Sequence, residues 1–261
     1  MMASKIVVRA IFLVVFFVFF LIYLAPANKL MSFVDLPKNV KLYNVSGDLW
    51  NGKIETIDIA ESRITNVNWK INFFTLVFGR GLSVNIRDPE LVRGSFDLNI
   101  FDLNKEIYLS KVELKSYISK ILPFLKLPFP IKAEGVIQTN LRNISLNKNG
   151  TLKAVNGSIH FNDVMIQHPF DPSLMIDLGK INVSLENPNG DVNIVNIIID
   201  QESEQFKCQN IKVIIKNMNN VQVSGSIRPK GSIPDSLISI LNMIGKPDAE
   251  GNIRIDYKGS F

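Results

Sequence analysis

The sequence predicts a mainly β protein, with an N-terminal transmembrane helix followed by a twisted, curled antiparallel β-sheet domain that carries two short amphipathic helices. Three observations lead there. Ile11 to Leu24 reads IFLVVFFVFFLIYL, a run apolar enough for a hydrocarbon core. From Asn28 onward apolar and polar residues alternate, the period of a strand with one face on a core and one in water. Asn-Gly pairs sit between several of these runs, where a type I′ turn closes a hairpin and makes its strands antiparallel.

In chain order, residues 1–5 are expected as a cytoplasmic tail, 6–25 as the membrane span and 28–261 as an exported β-rich domain. Ile6 to Ala25 as a helix is about 30 Å long, one hydrocarbon thickness. Lys5 and Arg9 precede the run, whereas only Asn28 and Lys29 follow closely, so the positive-inside rule favours a cytoplasmic N-terminus. The competing reading is a cleaved signal peptide with Ala25-Pro26-Ala27 as its small-residue site. Both export the β-rich domain.

Strands are expected at Leu82/Val84/Ile86, at Val92, Gly94, Phe96, Leu98 and Ile100, at Ile181/Val183/Leu185, Ile211/Val213/Ile215, Val221/Val223 and Ile253/Ile255/Tyr257. Asn51-Gly52 is expected to join Val40–Trp50 to Lys53–Ile59, Asn149-Gly150 to join Leu141–Leu146 to Thr151–Val155, and Asn189-Gly190 to join Ile181–Glu186 to Asp191–Ile199. Two stretches carry a helical stripe. Val112 to Leu122 places Leu114, Ile118, Ile121 and Leu122 on one face before Pro123, and Pro234 to Ile244 places Leu237, Leu241 and Ile244 on one face before Gly245.

Chemistry is sparse. Cys208 is the single cysteine, so no intrachain disulfide, redox pair or thiolate zinc site can form. His160 and His168, with Asp163 and Asp171 nearby, match no metal-ligand spacing and read as solvated or core residues. The carboxylate pairs Asp88/Glu90 and Glu202/Glu204 fall in expected turns, and no nucleophile elbow or phosphate loop is present. Arg228-Pro229-Lys230-Gly231-Ser232 is a small basic loop that reads as a solvated turn. Of 29 Lys and Arg, two lie in the acid-free N-terminus, leaving 27 against 24 Asp and Glu, which points to no nucleic acid. No enzyme and no cofactor is implied.

Val45-Ser-Gly-Asp-Leu-Trp-Asn-Gly52, soon after a membrane run, resembles the V-x-G-T-L-W-x-G motif of the type II secretion system protein N family, and Trp69 follows in Val67-Asn-Trp-Lys70. Gly231 to Phe261 resembles that family's close, with Gly245, Pro247, Asp248 and Gly251 in its L-G-x-P-D-x-x-G phrase. Asp48 stands where Thr is usual, and Ile244 where Leu is usual. The motif residues, Val45 to Gly52, admit a structural reading: Asn51-Gly52 as a turn, Gly47 as a bulge, and Leu49 and Trp50 as residues that pack or cap the hairpin. The resemblance implies a bacterial inner-membrane protein with a periplasmic domain. It would be a non-catalytic accessory of the type II (general) secretion pathway whose partners are the inner membrane and other secretion-system proteins. It also suggests kinship with AsmA-like envelope proteins, and with it the alternative of a lipid-binding or lipid-transfer protein. A packed core would bury the alternate apolar positions, whereas a groove for phospholipid acyl chains would leave a trough lined by residues such as Phe96, Leu98, Ile181 and Val183.

Overall fold

The computed structural model describes residues 12–17, 20–21, 23–32, 36, 39–59, 62–72, 81–88, 92–99, 106–122, 132–147, 152–167, 175–188, 194–217, 220–230, 238, 241 and 245–260. After a short helix α1 (Ala27–Met31) come five strands, β1 (Val40–Gly47), β2 (Asn51–Ile59), β3 (Ser62–Ile71), β4 (Leu82–Arg87) and β5 (Val92–Asn99). Next are β6 (Glu106–Tyr117), the one-turn α2 (Ile118–Ile121), β7 (Ala133–Asn147), β8 (Leu152–Gln167) and β9 (Met175–Glu186). The chain closes with β10 (Ile194–Glu202), β11 (Phe206–Lys216), β12 (Asn220–Pro229) and β13 (Ile253–Ser260). These strands form one 13-stranded antiparallel sheet in which spatial order is sequence order. At about 4.8 Å per step the sheet runs about 58 Å from β1 to β13.

Register turns the sequence alternation into two unlike faces. One row crosses Trp69, Val84, Phe96, Val112, Leu141 and Gly157, then Leu185, Ile197, Val213, Val223 and Tyr257. One residue along each strand, the row is Asn68, Asn85, Ser95, Glu113, Asn140 and Ser158, then Ser184, Ile198, Lys212, Ser224 and Asp256. A one-residue slip would exchange them, so burial of the apolar face fixes the pairing.

Among the described elements no continuous second layer covers the apolar face. The chain exposes 17589 Å² at 29.4 kDa, where a compact monomer of that mass exposes about 11,500 Å². Even so, Val155 is 2% exposed and Val195 3%. Val155 and Val195 belong to one cluster although β9 lies between their strands, and β8 and β10 approach each other across it, so the sheet bends towards its apolar side there. Val112, Ile144, Val155 and Val195, on β6, β7, β8 and β10, form the core of that concave face with Phe96, Leu109, Leu185 and Ile215 around them.

Bulges assist the curl. Register shifts fall at Arg142/Ser145, Phe161/Val164 and Gln209/Lys212, beside Asn143, Asp163 and Asn210, all at positive φ near 50°. Extra residues of this kind bend a strand and increase its twist. Asn and Asp are the side-chain-bearing residues that take the left-handed region at least cost, and the described non-Gly residues at positive φ are five Asn and one Asp. The many asparagines of the chain thus have local uses.

Three expectations are corrected. The helix over Val112–Leu122 is instead the end of β6 plus α2: Val112, Leu114 and Ser116 alternate with Glu113 and Lys115, and pairing with both β5 and β7 favours that period over the helical stripe. The turn at Asn51-Gly52 lies earlier, because Gly47 pairs with Gly52 and the chain reverses over Asp48–Trp50. Strands at the second hairpin are far longer than expected, 15 and 16 residues. Asn149-Gly150, Asn189-Gly190, Ile100, His168, Glu90 and most of the Pro234–Ile244 helix lie outside the described residues; Ile238 and Leu241 of that helix are helical. Residues 12–17, 20, 21 and 23 are helical too, and no helix of the described residues is long and apolar enough to cross a membrane.

Candidate functional site

The first motif builds the junction between the N-terminal segment and the sheet. Asp48 Oδ1 accepts from the backbone N–H of Trp50 at 2.8 Å and of Asn51 at 2.7 Å, which satisfies donors that a tight reversal leaves unpaired. Gly47 sits at φ 91°. Trp50 donates its indole N–H to the Tyr23 carbonyl at 3.1 Å and its ring lies 5.6 Å from that of Tyr23. Pro26 bridges to Asp48, and α1 packs on β1. Trp69 donates to the Leu49 carbonyl at 3.1 Å, and its ring occupies the space that a Cβ on Gly52 would need. Gly47, Leu49, Trp50, Gly52 and Trp69 are therefore one cluster, and Val45 is paired with Ile54 beside it. Behind it Ala27, Leu49, Ile54, Val67, Trp69 and Val84 border an apolar cavity of about 270 Å³.

The second motif lies at the other end of the sheet. Asp248 Oδ1 accepts from the N–H of Asn252 at 2.8 Å and of Glu250 at 3.1 Å; these backbone donors, that of Asn252 foremost, hold its carboxyl below the usual range. Gly251 follows at φ 80°, and Gly245 donates its N–H to the Leu241 carbonyl at 3.1 Å, one helical turn back. Pro247 bridges to Ile253. Leu241 packs with Phe206 and Ile253 over the apolar face. Gly245, Pro247, Asp248 and Gly251 thus share one turn, which the structure does not bring near the first cluster.

Phe96, Leu98, Ile181 and Val183 lie on the concave face, the first two on β5 and the others on β9. Four strand steps separate the two pairs. Cys208 is also on that face, paired with Gln201 and Ile227, and burial raises its thiol pKa, which favours an inert SH group.

The polar face holds a chain that the sequence reading missed. Ser158 Oγ lies 3.0 Å from His160 Nε2, and His160 Nδ1 lies 2.7 Å from Asn182 Oδ1. The order resembles an acyl-transfer triad, but the surrounding backbone N–H groups are committed to the ladder of β7, β8 and β9, leaving no paired donors for an oxyanion. Period-two spacing of Ser158 and His160 was the available signal; Asn182 becomes a neighbour only through register. Among the described residues no group of His, Cys, Asp and Glu could hold a metal. Asp88, 3% exposed, accepts from Thr65 N–H at 2.6 Å and its hydroxyl at 2.8 Å. Glu202 is paired with Lys230 at 2.8 Å, so both residues serve structure.

The geometry at both ends coincides with the two sequence motifs, and comparison with known proteins agrees over nearly the whole chain. The family model for "Type II secretion system (T2SS), protein N" matches residues 38–256. The type II secretion system protein N of Aeromonas hydrophila is 23% identical over 271 residues, covering 99% of each chain. That of Klebsiella pneumoniae is 23% identical over 94% of this chain and 92% of its own, and that of Vibrio cholerae 20% identical over 90% and 91%. No solved structure matches the chain. With a match that runs from just before β1 into β13 and takes in both turn motifs, the chain belongs to the type II secretion system protein N family.

Proposed function

We propose that this accessory component of type II secretion is a single-pass inner-membrane protein, with residues 1–5 in the cytoplasm, 6–25 in the bilayer and 28–261 in the periplasm, and that its sheet docks other secretion-system proteins without catalysis. The observation that carries the docking role is the asymmetry of the two sheet edges. At the β1 end α1 packs against the strand, and the turn that follows it is tied through Trp50 to Tyr23 and through Asp48 to Pro26. On β13 no described residue beyond Ile253 pairs with the outer edge, so its free backbone groups can accept an added strand.

The test uses two variants, Ile255→Pro and Asp256→Pro, expressed in place of the native chain. Alternate residues of an edge strand aim their N–H outward, so one of the two keeps the β12 ladder and folds. That variant is expected to lose export of the system's substrates. Normal export by the folded variant would remove the edge from the docking role. An export-dependent reporter fused after Phe261 tests the topology, and a soluble mature form beginning near Asn28 would replace the anchor by a cleaved leader.

A second reading has its own support, the apolar row from Trp69 to Tyr257, over which the described residues form no continuous second layer. A concave strip of that kind suits acyl chains, as the suggested AsmA-like kinship would have it. Leu98→Lys and Val183→Lys are then expected to abolish function in folded protein and alter outer-membrane lipid composition, because an ammonium in the strip opposes lipid entry. Unfolding of both would mark those positions as ordinary core.

A further inference from the structure

We infer that the cavity between α1 and β2–β4 is a binding site for one acyl chain of a bilayer phospholipid. The inference rests on the anchored topology proposed for the chain and goes beyond it by naming an entry point. The cavity measures about 270 Å³, and the side chains bordering it, among them Ala27, Met31, Leu49, Trp69, Leu82 and Val84, are apolar. The polar hydrogen among those side chains, the indole N–H of Trp69, is already donated to the Leu49 carbonyl. None of the described side chains there recruits water, and an apolar cavity of even about 150 Å³ stays dry and takes up a hydrocarbon.

Location selects which hydrocarbon. The Tyr23–Trp50 pair, with rings 5.6 Å apart, joins the Phe-rich segment to the motif turn, and Tyr and Trp favour the membrane–water boundary. Leu49 and Ala27, both in the cavity wall, are the immediate neighbour of Trp50 and the fourth residue after Tyr23. Phe12, Phe16 and Phe17 on the preceding helix are 57–70% exposed, which suits a lipid surround. The cavity therefore opens at the depth where acyl chains begin. Trp69 and Val84 also start the apolar row that continues to Tyr257, so an inserted chain would lie at the foot of the concave strip.

The chain has two tryptophans, so Trp50→Phe leaves Trp69 as the reporter. Full-length Trp50→Phe protein is placed in phosphatidylcholine vesicles, with acyl chains either unlabelled or brominated at mid-chain. Bromine is expected to quench Trp69 emission, and cavity-filling Val84→Phe or Ala27→Leu in the same background is expected to restore it; near-UV circular dichroism verifies which filled variant is folded. Protein that does not float with the vesicles overturns the anchor and the site together. Flotation without quenching overturns the site alone. Quenching that persists in a folded, filled variant means that Trp69 itself lies in the bilayer, and also overturns it.

Discussion

The two ends of the sheet repeat one device with different consequences. At each end an Asp accepts the N–H groups of a following turn, Asp48 beside β1 and Asp248 beside β13. At each end an aromatic ring lies over a glycine, Trp69 over Gly52 and Tyr257 over Gly259. The difference is what surrounds them. Trp69 reaches across from β3, is pinned by its bond to Leu49 and shares a cavity wall with α1; Tyr257 folds along its own strand and is 58% exposed. A contact costs most to disturb where its partners cannot move, so the β1 end is expected to be rigid and the β13 end adaptable.

Glycine substitution gives the largest test of that contrast. Gly52→Val drives a branched side chain into the Trp69 ring and is expected to destabilise the protein by about 3 kcal/mol, the overpacking range. Gly259→Val meets only the far end of an exposed tyrosine and is expected to cost less than about 0.5 kcal/mol. Denaturant midpoints of the two variants compare them. Equal losses would mean that the two ends are equally constrained.

Next in size is the first turn. Asp48→Ala leaves the Trp50 and Asn51 N–H groups without their acceptor and is expected to cost about 1–2 kcal/mol. Asp48→Thr restores the residue usual in the family and is expected to recover most of that, since a hydroxyl also accepts from such a turn. If both variants melt alike, the carboxylate is not what holds the turn.

Much of this was readable from sequence because the sheet is a meander: the alternation at 82–86, 92–98, 181–185, 211–215, 221–223 and 253–257 gives strand, and short connections give antiparallel neighbours. Val112–Leu122 misled because Leu114, Ile118 and Ile121 satisfy a helical stripe while Val112, Leu114 and Ser116 satisfy a strand, and only the partners β5 and β7 decide. Asn51-Gly52 misled because glycine has two uses. The pair suggested positive φ, whereas Gly52 is needed for the ring of a residue 17 positions later. The same limit applies to the cavity and to the His160–Asn182 contact, which join residues that no local spacing connects. That the described residues form no continuous second layer was also not legible, since a half-buried and a fully covered apolar face have the same period.

The smallest expected effect concerns acid, and it separates the second turn from the first. Hydrogen bonds from Asn252 and Glu250 N–H groups hold the Asp248 carboxyl below its ordinary value of 3.8. A carboxylate whose pKa is lower folded than unfolded adds stability that is fully present above the unfolded value, and that stability drains away as pH falls through the folded one. Asp248→Asn removes this titration but keeps a side-chain carbonyl as acceptor. Melting temperature is therefore expected to be a little higher in the native chain near neutral pH, with the gap narrowing as pH drops below about 4. Because the group stays partly open to solvent the gap is expected to be small, and salt screening shrinks it further. A gap that stays constant from neutral to acid pH would assign the role of Asp248 to shape alone, and would make the β13 turn a geometric device instead of an electrostatic one.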